Sequence, residues 1–486
     1  MTIESFTSHR EAWAAQEELA EQLIPRIGRL YRDHGVVISI HGQRLINLSA
    51  TGVIAVHERA THLGHEKLRL EETARVLDAL LAVAPRPASV DVARLAQALR
   101  AEDAAAEDVL GELLAGLPTR RAEGADVVLY GFGRIGRLLA RILIGHAGNG
   151  RALRLRAIVV RRGSDNDLIK RASLLQRDSV HGPFEGSVTV DADADVLIAN
   201  GTRIQVIYSD DPASVDYTVY GIQDAIVVDN TGRWRDEEGL SRHLQSPGVS
   251  RVLLTAPGKG ALKNIVHGIN HDTITATDRI LSAASCTTNA ITPVLKAIDD
   301  AFGVERGHVE TVHSFTNDQN LIDNFHKGDR RGRSAVLNMV ITETGAATAV
   351  AKALPKFAGR LTGSSIRVPT PDVSLAILNL TLASPATKEE INDYLRRTSM
   401  HSDLRQQIDY VESPEVVSTD FVGSHRAGIV DGLATIADGV NVVLYVWYDN
   451  EYGYSCQVIR VLEEMAGTHP VVVPPRTEVR RELTGV

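Results

Sequence analysis

The feature that most constrains the fold of this chain is a glycine-rich turn between an apolar run and a helix-like segment. Residues 127–130 are apolar, Gly131, Gly133 and Gly136 follow with Gly-x-Gly-x-x-Gly spacing, and residues 138–143 suit a helix. A strand, a glycine turn and a helix start form a cradle whose backbone amides bind a pyrophosphate. The segment therefore predicts a Rossmann-type parallel sheet that binds a dinucleotide, and an ordinary tight turn is the alternative.

One of the two cysteines, Cys286, stands at a second informative position. Residues 283–292 form a Ser-led segment rich in Thr and Asn, which gives way to helix-like sequence running to about Phe302. The unpaired amides and the dipole at a helix N-terminus favour a thiolate and lower the thiol pKa. The position therefore predicts a nucleophilic cysteine, with a small buried residue as the alternative.

The pattern of apolar runs changes at Cys286. Before this residue, short apolar strands alternate with polar or helical segments, as in a parallel sheet covered by helices. These strands are 127–130, 153–160, 225–229 and 251–255. After Cys286 the runs are longer and favour a mixed or antiparallel sheet; they are 307–315, 361–368, 373–381 and 440–447. We therefore predict a dinucleotide-binding domain over 123–285 and an α+β domain over 286–449.

The first part of the chain has a different character. Apolar residues at helical spacing predict three helices, which cover 8–34, 66–84 and 90–116. A short strand is predicted between glycines over 35–42, and the breaker-rich segment Gly116–Gly124 suits a domain boundary. Residues 1–122 are therefore predicted to form a mostly helical extension that folds separately and packs part of its apolar surface on the rest of the chain or on a second subunit.

Composition limits the classes of function. The chain has 486 residues and a net charge of −9, which argues against a nucleic-acid-binding role for the whole chain. Two cysteines in a chain of this size indicate a reducing compartment without a disulfide framework. Residues 1–10 lack the pattern of a secretory signal, and no apolar run approaches the length of a membrane span. These features predict a cytoplasmic protein.

The glycine turn and the cysteine segment occur together with further motifs in a fixed order along the chain. These motifs are Asp178–Gly182, Thr311–Gln319, Thr344–Ala347, Arg367–Pro371 and Trp447–Tyr454. Taken together, residues from about 125 to 470 resemble phosphorylating glyceraldehyde-3-phosphate dehydrogenase, to which the first 120 or so residues are an addition. The resemblance implies that a last helix, about 450–470, returns to complete the dinucleotide-binding domain, and that residues 286–449 form the catalytic domain.

The same resemblance implies the site residues. Cys286 adds to an aldehyde and forms a thioester, and His313 acts as its base. The cofactor is held by Gly131, Gly133, Arg134, Ile135, Gly136, Asn230 and Asn450. The organic phosphate of the substrate is held by Arg367, Thr316 and Asp318. The attacking inorganic phosphate is held by Arg331, Ser285, Thr287, Thr344 and Gly345. No metal is expected.

One departure from the family pattern concerns the cofactor. Where members that use NAD end the second strand with Asn-Asp, strand 153–160 here is followed by Arg161 and Arg162. A carboxylate repels the 2′-phosphate of NADP, whereas an arginine attracts it. The change predicts that Arg162 helps to bind NADP in preference to NAD. The alternative is a pair of solvated surface charges, with NAD bound through its other contacts.

Three functions follow as hypotheses. The first is phosphate-dependent oxidation of glyceraldehyde 3-phosphate to 1,3-bisphosphoglycerate, or its reversal, by a homotetramer. The second is the same chemistry on erythrose 4-phosphate. The third, from a different class, is a regulatory protein that docks an unknown partner through residues 1–122. The intact Cys286, His313 and Arg367 favour an enzyme, while the metabolic direction stays open.

Overall fold

A computed structural model describes residues 3–64, 68–101, 124–147 and 152–474, with the isolated positions 108, 110, 111 and 114. Most of the predicted linker Gly116–Gly124, and the latter part of the predicted helix 90–116, lie outside the described residues. Within the described residues, no helix is long and apolar enough to cross a membrane.

The N-terminal unit combines helices with a small sheet. Its helices are α1 (Ile3–His34), α2 (Ala50–Gly64), α3 (Leu70–Val83) and α4 (Val92–Ala101). Its strands are β1 (Val37–Ile40), β2 (Gln43–Arg44) and β3 (Ala88–Asp91). The predicted strand over 35–42 and the first two predicted helices are confirmed, whereas α2 was not predicted. The apolar faces of α1 and α3 pack together with β1 and β3 in one hydrophobic core, in which Leu23, Ile27 and Leu77 are buried.

The second unit is built on a parallel sheet. Its strands are β4 (Ala125–Tyr130), β5 (Leu153–Val160), β6 (Val188–Asp191), β7 (Val196–Ala199), β8 (Thr202–Tyr208), β9 (Ala225–Asp229), β10 (Val249–Leu254) and β11 (Ile280–Ser282). Its helices are α5 (Arg134–Gly145), α6 (Asp167–Gln176) and α7 (Glu237–Ser241). Among the described residues the strand order is β11-β10-β9-β4-β5-β8-β7-β6. Its antiparallel pairs are β6–β7 and β7–β8, so that β7 runs against the other strands. The central strands β4 and β9 are almost completely buried, as is typical of a parallel sheet covered on both faces. This is the predicted Rossmann-type arrangement.

The third unit contains a mixed sheet packed on helices. Its strands are β12 (Val304–Ser314), β13 (Val340–Thr342), β14 (Leu361–Val368), β15 (Ser374–Leu382), β16 (Ile408–Val411), β17 (Gly428–Asp431), β18 (Ile436–Asp438) and β19 (Asn441–Tyr448). Its helices are α8 (Cys286–Phe302), α9 (Ala346–Ala353) and α10 (Lys388–His401). Strand β12 pairs parallel with β14 and antiparallel with β15, so the predicted mixed sheet is confirmed.

The last elements are α11 (Tyr452–Ala466) and β20 (Val471–Val473). Helix α11 buries Tyr454, Val458 and Leu462 in the core of the parallel-sheet unit, as the family resemblance implied. Strand β20 then pairs parallel with β3, so that the N-terminal sheet has the order β2-β1-β3-β20 among the described residues. The C-terminal segment therefore completes a sheet of the N-terminal unit, which the sequence did not predict. Short 3₁₀ turns occur at Thr218–Tyr220, Arg242–Gln245, His271–Thr273, Asp329–Gly332, Pro355–Phe357, Asp403–Gln406 and Ser418–Phe421.

Side chains also join the N-terminal unit to the rest of the chain. The Tyr31 hydroxyl donates to the Gly145 carbonyl at 3.1 Å, and Arg59 pairs with Asp409 at 2.9 Å. These contacts agree with the prediction that the extension packs on the remainder of the chain. The unit is mostly helical, as predicted, and β20 adds a strand from the C-terminal segment to its sheet. That the extension folds separately stays a prediction.

Candidate active site

Cys286 lies at the first turn of α8, as its sequence context predicts. Ser285 is the N-cap residue, and its hydroxyl accepts a hydrogen bond from the Thr288 amide at 3.1 Å. The preceding residue, Ala284, is fully buried and has a left-handed φ of 56°. A non-glycine residue rarely adopts this conformation, and such local strain is common where a side chain must be aimed at a site. The Ser285 hydroxyl, predicted to bind phosphate, is therefore engaged in capping the helix.

The neighbours of Cys286 come from two paired strands. In the parallel register of β12 and β14, His313 lies opposite Arg367. His313 Nε2 lies 3.5 Å from Cys286 Sγ, and His313 Nδ1 lies 2.7 Å from the Ser314 carbonyl oxygen. Arg367 Nη1 is 2.7 Å from the same Nδ1 and donates to the Ser314 oxygen at 3.0 Å. The structure thus brings the predicted nucleophile, base and phosphate-binding arginine into direct contact.

Burial dominates the electrostatics of this group. It raises the pKa of the Cys286 thiol above its ordinary value, although the nearby Arg367 charge and the Thr287 amide act in the opposite direction. The predicted lowering of this pKa is therefore wrong, because the helix N-terminus does not offset the loss of water. Burial, followed by the charge of Arg367, lowers the pKa of His313 to about 3. Both groups are neutral near pH 7, and a proton leaving the thiol meets an unprotonated imidazole.

Tyr448, the last residue of β19, is a fully buried aromatic residue beside the site. The Tyr448 hydroxyl is 3.0 Å from Thr287 Oγ1, and its ring packs edge-on to the His313 imidazole at 6.0 Å between ring centres. The Thr287 hydroxyl, predicted to bind phosphate, is thus held by Tyr448. A position directly before Asp449 and Asn450 in the family motif was the signal that could have identified Tyr448.

Asn450 follows β19 and is almost fully buried. Its Oδ1 accepts a hydrogen bond from the Ser374 hydroxyl at 2.7 Å. This contact orients the side chain and leaves the amide nitrogen as the donor. A fixed amide donor suits the role predicted for Asn450 in binding a cofactor carboxamide.

Each glycine of the turn between β4 and α5 meets a different requirement of a dinucleotide site. Gly131 has a φ of 98°, which a side chain rarely tolerates. Gly133 faces open space, so that a pyrophosphate can approach its backbone, and a Cβ on Gly136 would lie 2.4 Å from the Gly131 carbonyl oxygen. In the dinucleotide fingerprint the first glycine permits the tight turn, the second lets the pyrophosphate approach the backbone, and the third allows close contact between helix and strand. The residues present therefore fit a dinucleotide.

The other predicted cofactor residues surround this turn. Arg134 and Ile135 begin α5 and offer first-turn backbone amides, which have no acceptor within a helix. The Arg134 side chain is committed to ion pairs with Asp178 and Glu451. Asn230 follows β9 and donates to the Val228 carbonyl at 3.1 Å, while its Oδ1 is buried without a partner among the described residues. A buried acceptor without a donor, together with the open space at Gly133, indicates that a polar group binds here.

Arg162 lies just beyond the end of β5, the strand that pairs with β4. Its guanidinium carbon is 3.8 Å from the centre of the Tyr208 ring, and Nη2 is 3.6 Å from Asp195. About half of the side chain, 52%, remains exposed. The group is therefore oriented by an aromatic ring but remains accessible to an anion.

A cleft of about 980 Å³ opens beside Arg367 and is strongly cationic. It is also lined by Arg331 and Asp318, which form an ion pair, and Asp318 is bonded by the Thr316 hydroxyl as well. Burial acts to raise the pKa of Asp318, but the Thr316 hydrogen bond and the Arg331 charge hold it below its ordinary value. An ionised carboxylate repels phosphate, so in this structure Asp318 positions Arg331.

Sequence reasoning missed several cationic residues of this cleft. They are Arg233, Arg235, Lys259 and Lys327. The first two directly follow Asn230-Thr231-Gly232 after β9, a position that marks the cofactor edge of the sheet. By contrast, the predicted phosphate residues Thr344 and Gly345 lie at the start of α9, where the Thr344 hydroxyl accepts from the Ala346 amide at 3.2 Å. Neither contributes to the lining of the cleft among the described residues.

Comparison with known proteins agrees with this geometry. Residues 125–237 match the glyceraldehyde 3-phosphate dehydrogenase NAD binding domain, and residues 285–450 match its C-terminal domain. A glyceraldehyde-3-phosphate dehydrogenase of Zymomonas mobilis is 39% identical over 347 residues, which cover 70% of this chain and 98% of that protein. The chain belongs to the glyceraldehyde-3-phosphate dehydrogenase family. It is thus an oxidoreductase of that family, and the resemblance seen in its motifs is confirmed.

Two further relatives indicate which similar proteins also contain the N-terminal unit. Glyceraldehyde-3-phosphate dehydrogenase 2 of Bacillus subtilis is 38% identical over 351 residues, covering 71% of this chain and 99% of that protein. A glyceraldehyde-3-phosphate dehydrogenase-like protein of Pseudomonas aeruginosa is 62% identical over 460 residues, covering 93% of this chain and 100% of that protein. Since at most a small part of this chain is left unmatched, the Pseudomonas protein shares the N-terminal unit. The other two dehydrogenases match only the family body.

Proposed function

We propose that this chain catalyses the phosphate-dependent oxidation of glyceraldehyde 3-phosphate to 1,3-bisphosphoglycerate, or the reverse reduction, with NADP preferred and NAD possible. The observation that carries the proposal is the 3.5 Å contact of Cys286 Sγ with His313 Nε2, with Arg367 beside both. A nucleophile and a base within reach of each other, next to an anion-binding group, are the parts that acyl transfer to phosphate requires.

The first step forms a bond between sulfur and the aldehyde carbon. Action as a base requires the imidazole tautomer whose Nδ1–H is directed at the Ser314 carbonyl, because that tautomer presents the Nε2 lone pair to the thiol. His313 then accepts the proton as Cys286 attacks. Because the thiol pKa is raised, this transfer is concerted with attack rather than complete beforehand. The imidazole then returns this proton to the former aldehyde oxygen, so that the product is a thiohemiacetal on Cys286 and His313 is again neutral.

The second step oxidises that adduct. A bound nicotinamide supplies the hydride acceptor, held through the Gly131–Gly136 turn and the Asn450 amide. His313 takes the hydroxyl proton of the adduct, which leaves a thioester on Cys286. Inorganic phosphate then attacks the thioester carbon, and the Cys286 sulfur departs as thiolate. The thiolate takes the proton held by His313, which restores the thiol and the neutral imidazole.

The cationic cleft supports the use of two phosphates. Arg367 and Arg331 face the same space, and the Nε atom of Arg367 is buried without a partner among the described residues. An arginine fork binds phosphate through two hydrogen bonds at once. We assign the organic phosphate to Arg367 and Thr316, and the attacking phosphate to Arg331, with Thr344, Gly345, Ser285 and Thr287 as the remaining members of the proposed site.

Steady-state rates test the assignment directly. We expect full activity only with glyceraldehyde 3-phosphate, NADP and inorganic phosphate together, with NAD used less well. Equal kcat/KM for erythrose 4-phosphate would move the assignment to the second sugar. Activity independent of phosphate would exclude acyl phosphate formation, and no turnover with any aldehyde would favour a regulatory protein.

A homotetramer, or another assembly of identical chains, accounts for an apolar surface near the active site. Large apolar side chains are exposed along residues 321–341, where Phe325 is 91% and Leu337 is 80% exposed. Contiguous exposed apolar surface of this kind marks protein–protein contact. Light scattering of the full chain measures its mass in solution, and a monomer would contradict the proposed assembly.

A further inference from the structure

A second cavity, of about 680 Å³, lies between the N-terminal unit and the family body. One wall comes from β2 and β3, and the other comes from α5, α11 and residues 422–426. Cavities of a few hundred to about a thousand cubic ångströms are typical of small-molecule sites. We call this space the inter-unit cavity. Neither Cys286 nor the glycine turn lines it, so it is separate from the proposed active site.

Arg426 is a deeply buried cation of the inter-unit cavity, and only 5% of it is exposed. Its Nη2 donates to the His41 carbonyl oxygen, whereas Nε and Nη1 are buried and have no hydrogen-bond partner among the described residues. The backbone makes room for this guanidinium, because Gly42 has a φ of 77° and a Cβ there would lie 2.5 Å from Nη1. A buried guanidinium with two unused donors points to an absent acceptor.

Two more arginines converge on the same space from opposite sides. Arg44, on β2 of the N-terminal unit, contacts the His146 imidazole. Arg460, on α11, donates to the His425 carbonyl at 3.2 Å. Burial, followed by these arginine charges, places the pKa of both imidazoles well below the ordinary value, so they add hydrogen-bonding groups without adding charge.

The carboxylates do not balance these cations. Among the described residues the lining holds five arginines, namely Arg44, Arg141, Arg405, Arg426 and Arg460, against three carboxylates, namely Asp91, Glu185 and Glu463. Glu463 is already bonded to His469 at 2.8 Å, and Asp91 accepts from the His41 amide at 3.2 Å. Arginine does not release its proton in proteins, and an uncompensated buried charge is strongly unfavourable.

We propose that the inter-unit cavity binds a small phosphorylated metabolite that carries at least two negative charges. Phosphate matches the planar fork of arginine, and its negative charge suits a lining in which arginines outnumber carboxylates. Since Arg44 belongs to one unit and Arg426 and Arg460 to the other, the ligand bridges the two units. It is therefore an effector site, and it does not depend on the dehydrogenase assignment.

Calorimetric titration of the full chain, saturated with NADP, tests the site with inorganic pyrophosphate and ATP as probes. We expect one site per chain whose affinity falls about tenfold or more in Arg44→Gln and again in Arg460→Gln, as for loss of a charge-assisted hydrogen bond. Arg26→Gln is the matched control on the N-terminal unit, since Arg26 pairs with Asp78 away from the cavity. Arg331→Gln is the control for the catalytic cleft.

The outcomes separate the possible sources of the anion. Equal affinity for the two probes indicates recognition of phosphate groups alone, whereas tighter binding of ATP indicates a nucleotide. Arg44→Lys, which keeps the charge but loses the fork, should bind with intermediate affinity, and ligand should raise the Tm of the wild-type chain more than that of Arg44→Gln. Binding of neither probe would overturn the proposal. So would binding that Arg331→Gln removes and Arg44→Gln leaves intact.

Discussion

The two ends of the proposed cofactor cleft are built on opposite principles. At the chemical end, Cys286, His313 and Arg367 come from a helix and two paired strands, and their reactive atoms contact one another. At the far end, Arg162 is held by one ring and remains half exposed. If the proposed function is correct, reactivity depends on buried side chains that contact one another, whereas the choice between NADP and NAD depends on one accessible charge. Changes at the first end should therefore abolish function, and changes at the second should redirect it.

The largest expected effect is that of Cys286→Ser. An alcohol of high pKa cannot replace the sulfur nucleophile, so turnover should fall by about 10⁴-fold or more. Steady-state rates of the purified variant measure this loss. Cys456→Ser is the matched control, because burial raises the pKa of Cys456 to about 11 and no step uses it. Near-normal turnover by Cys286→Ser would remove the thioester mechanism.

Replacement of His313, the proposed base, is a second test of the site around Cys286. His313→Asn should lower kcat by roughly 10²-fold or more, as loss of a general base typically does. His308→Asn is the control on the same strand, since His308 bonds Thr362 at 2.8 Å away from Cys286. If both variants lose activity equally, damage to β12 rather than loss of the base explains the result.

The exposed end is tested by Arg162→Asp. Loss of a charge-assisted contact to the 2′-phosphate should shift the ratio of kcat/KM for NADP and NAD by about tenfold or more and reverse the preference. The kcat with the better cofactor should change little. Arg177→Asp, at an exposed arginine that follows α6, controls for net charge. An unchanged ratio in Arg162→Asp would mark this residue as a surface charge only.

The smallest effect concerns the protonation of Cys286. Because burial raises its thiol pKa, the rate of iodoacetamide alkylation should climb with pH and reach no plateau below about pH 8.5, the ordinary thiol value. The Arg367 charge acts to lower that pKa, so Arg367→Met should raise it and slow alkylation at pH 8 by roughly three- to tenfold. Mass spectrometry locates the label. A plateau already reached at neutral pH would show that the helix N-terminus outweighs burial.

Local patterns predicted much of this molecule because they depend on the backbone itself. The glycine turn requires a positive φ at Gly131 and no side chain at Gly136, and the Ser-led segment caps a helix that begins at Cys286. Strands β5, β9 and β14 have the predicted bounds. Of these, β9 is fully buried and mostly apolar, as is typical of a strand covered on both faces. The family motifs, being short and contiguous, likewise placed Cys286, His313 and Arg367 in one site.

Tertiary structure decided what depends on distant parts of the chain. Burial by several elements reversed the expected pKa direction of Cys286, and the pairing of β12 with β14 set His313 against Arg367. The engagement of Asp318 by Arg331, the pairing of β20 with β3 and the inter-unit cavity also join segments far apart in sequence. Desolvation and long-range pairing arise only when such segments meet, so no local pattern in the sequence records them.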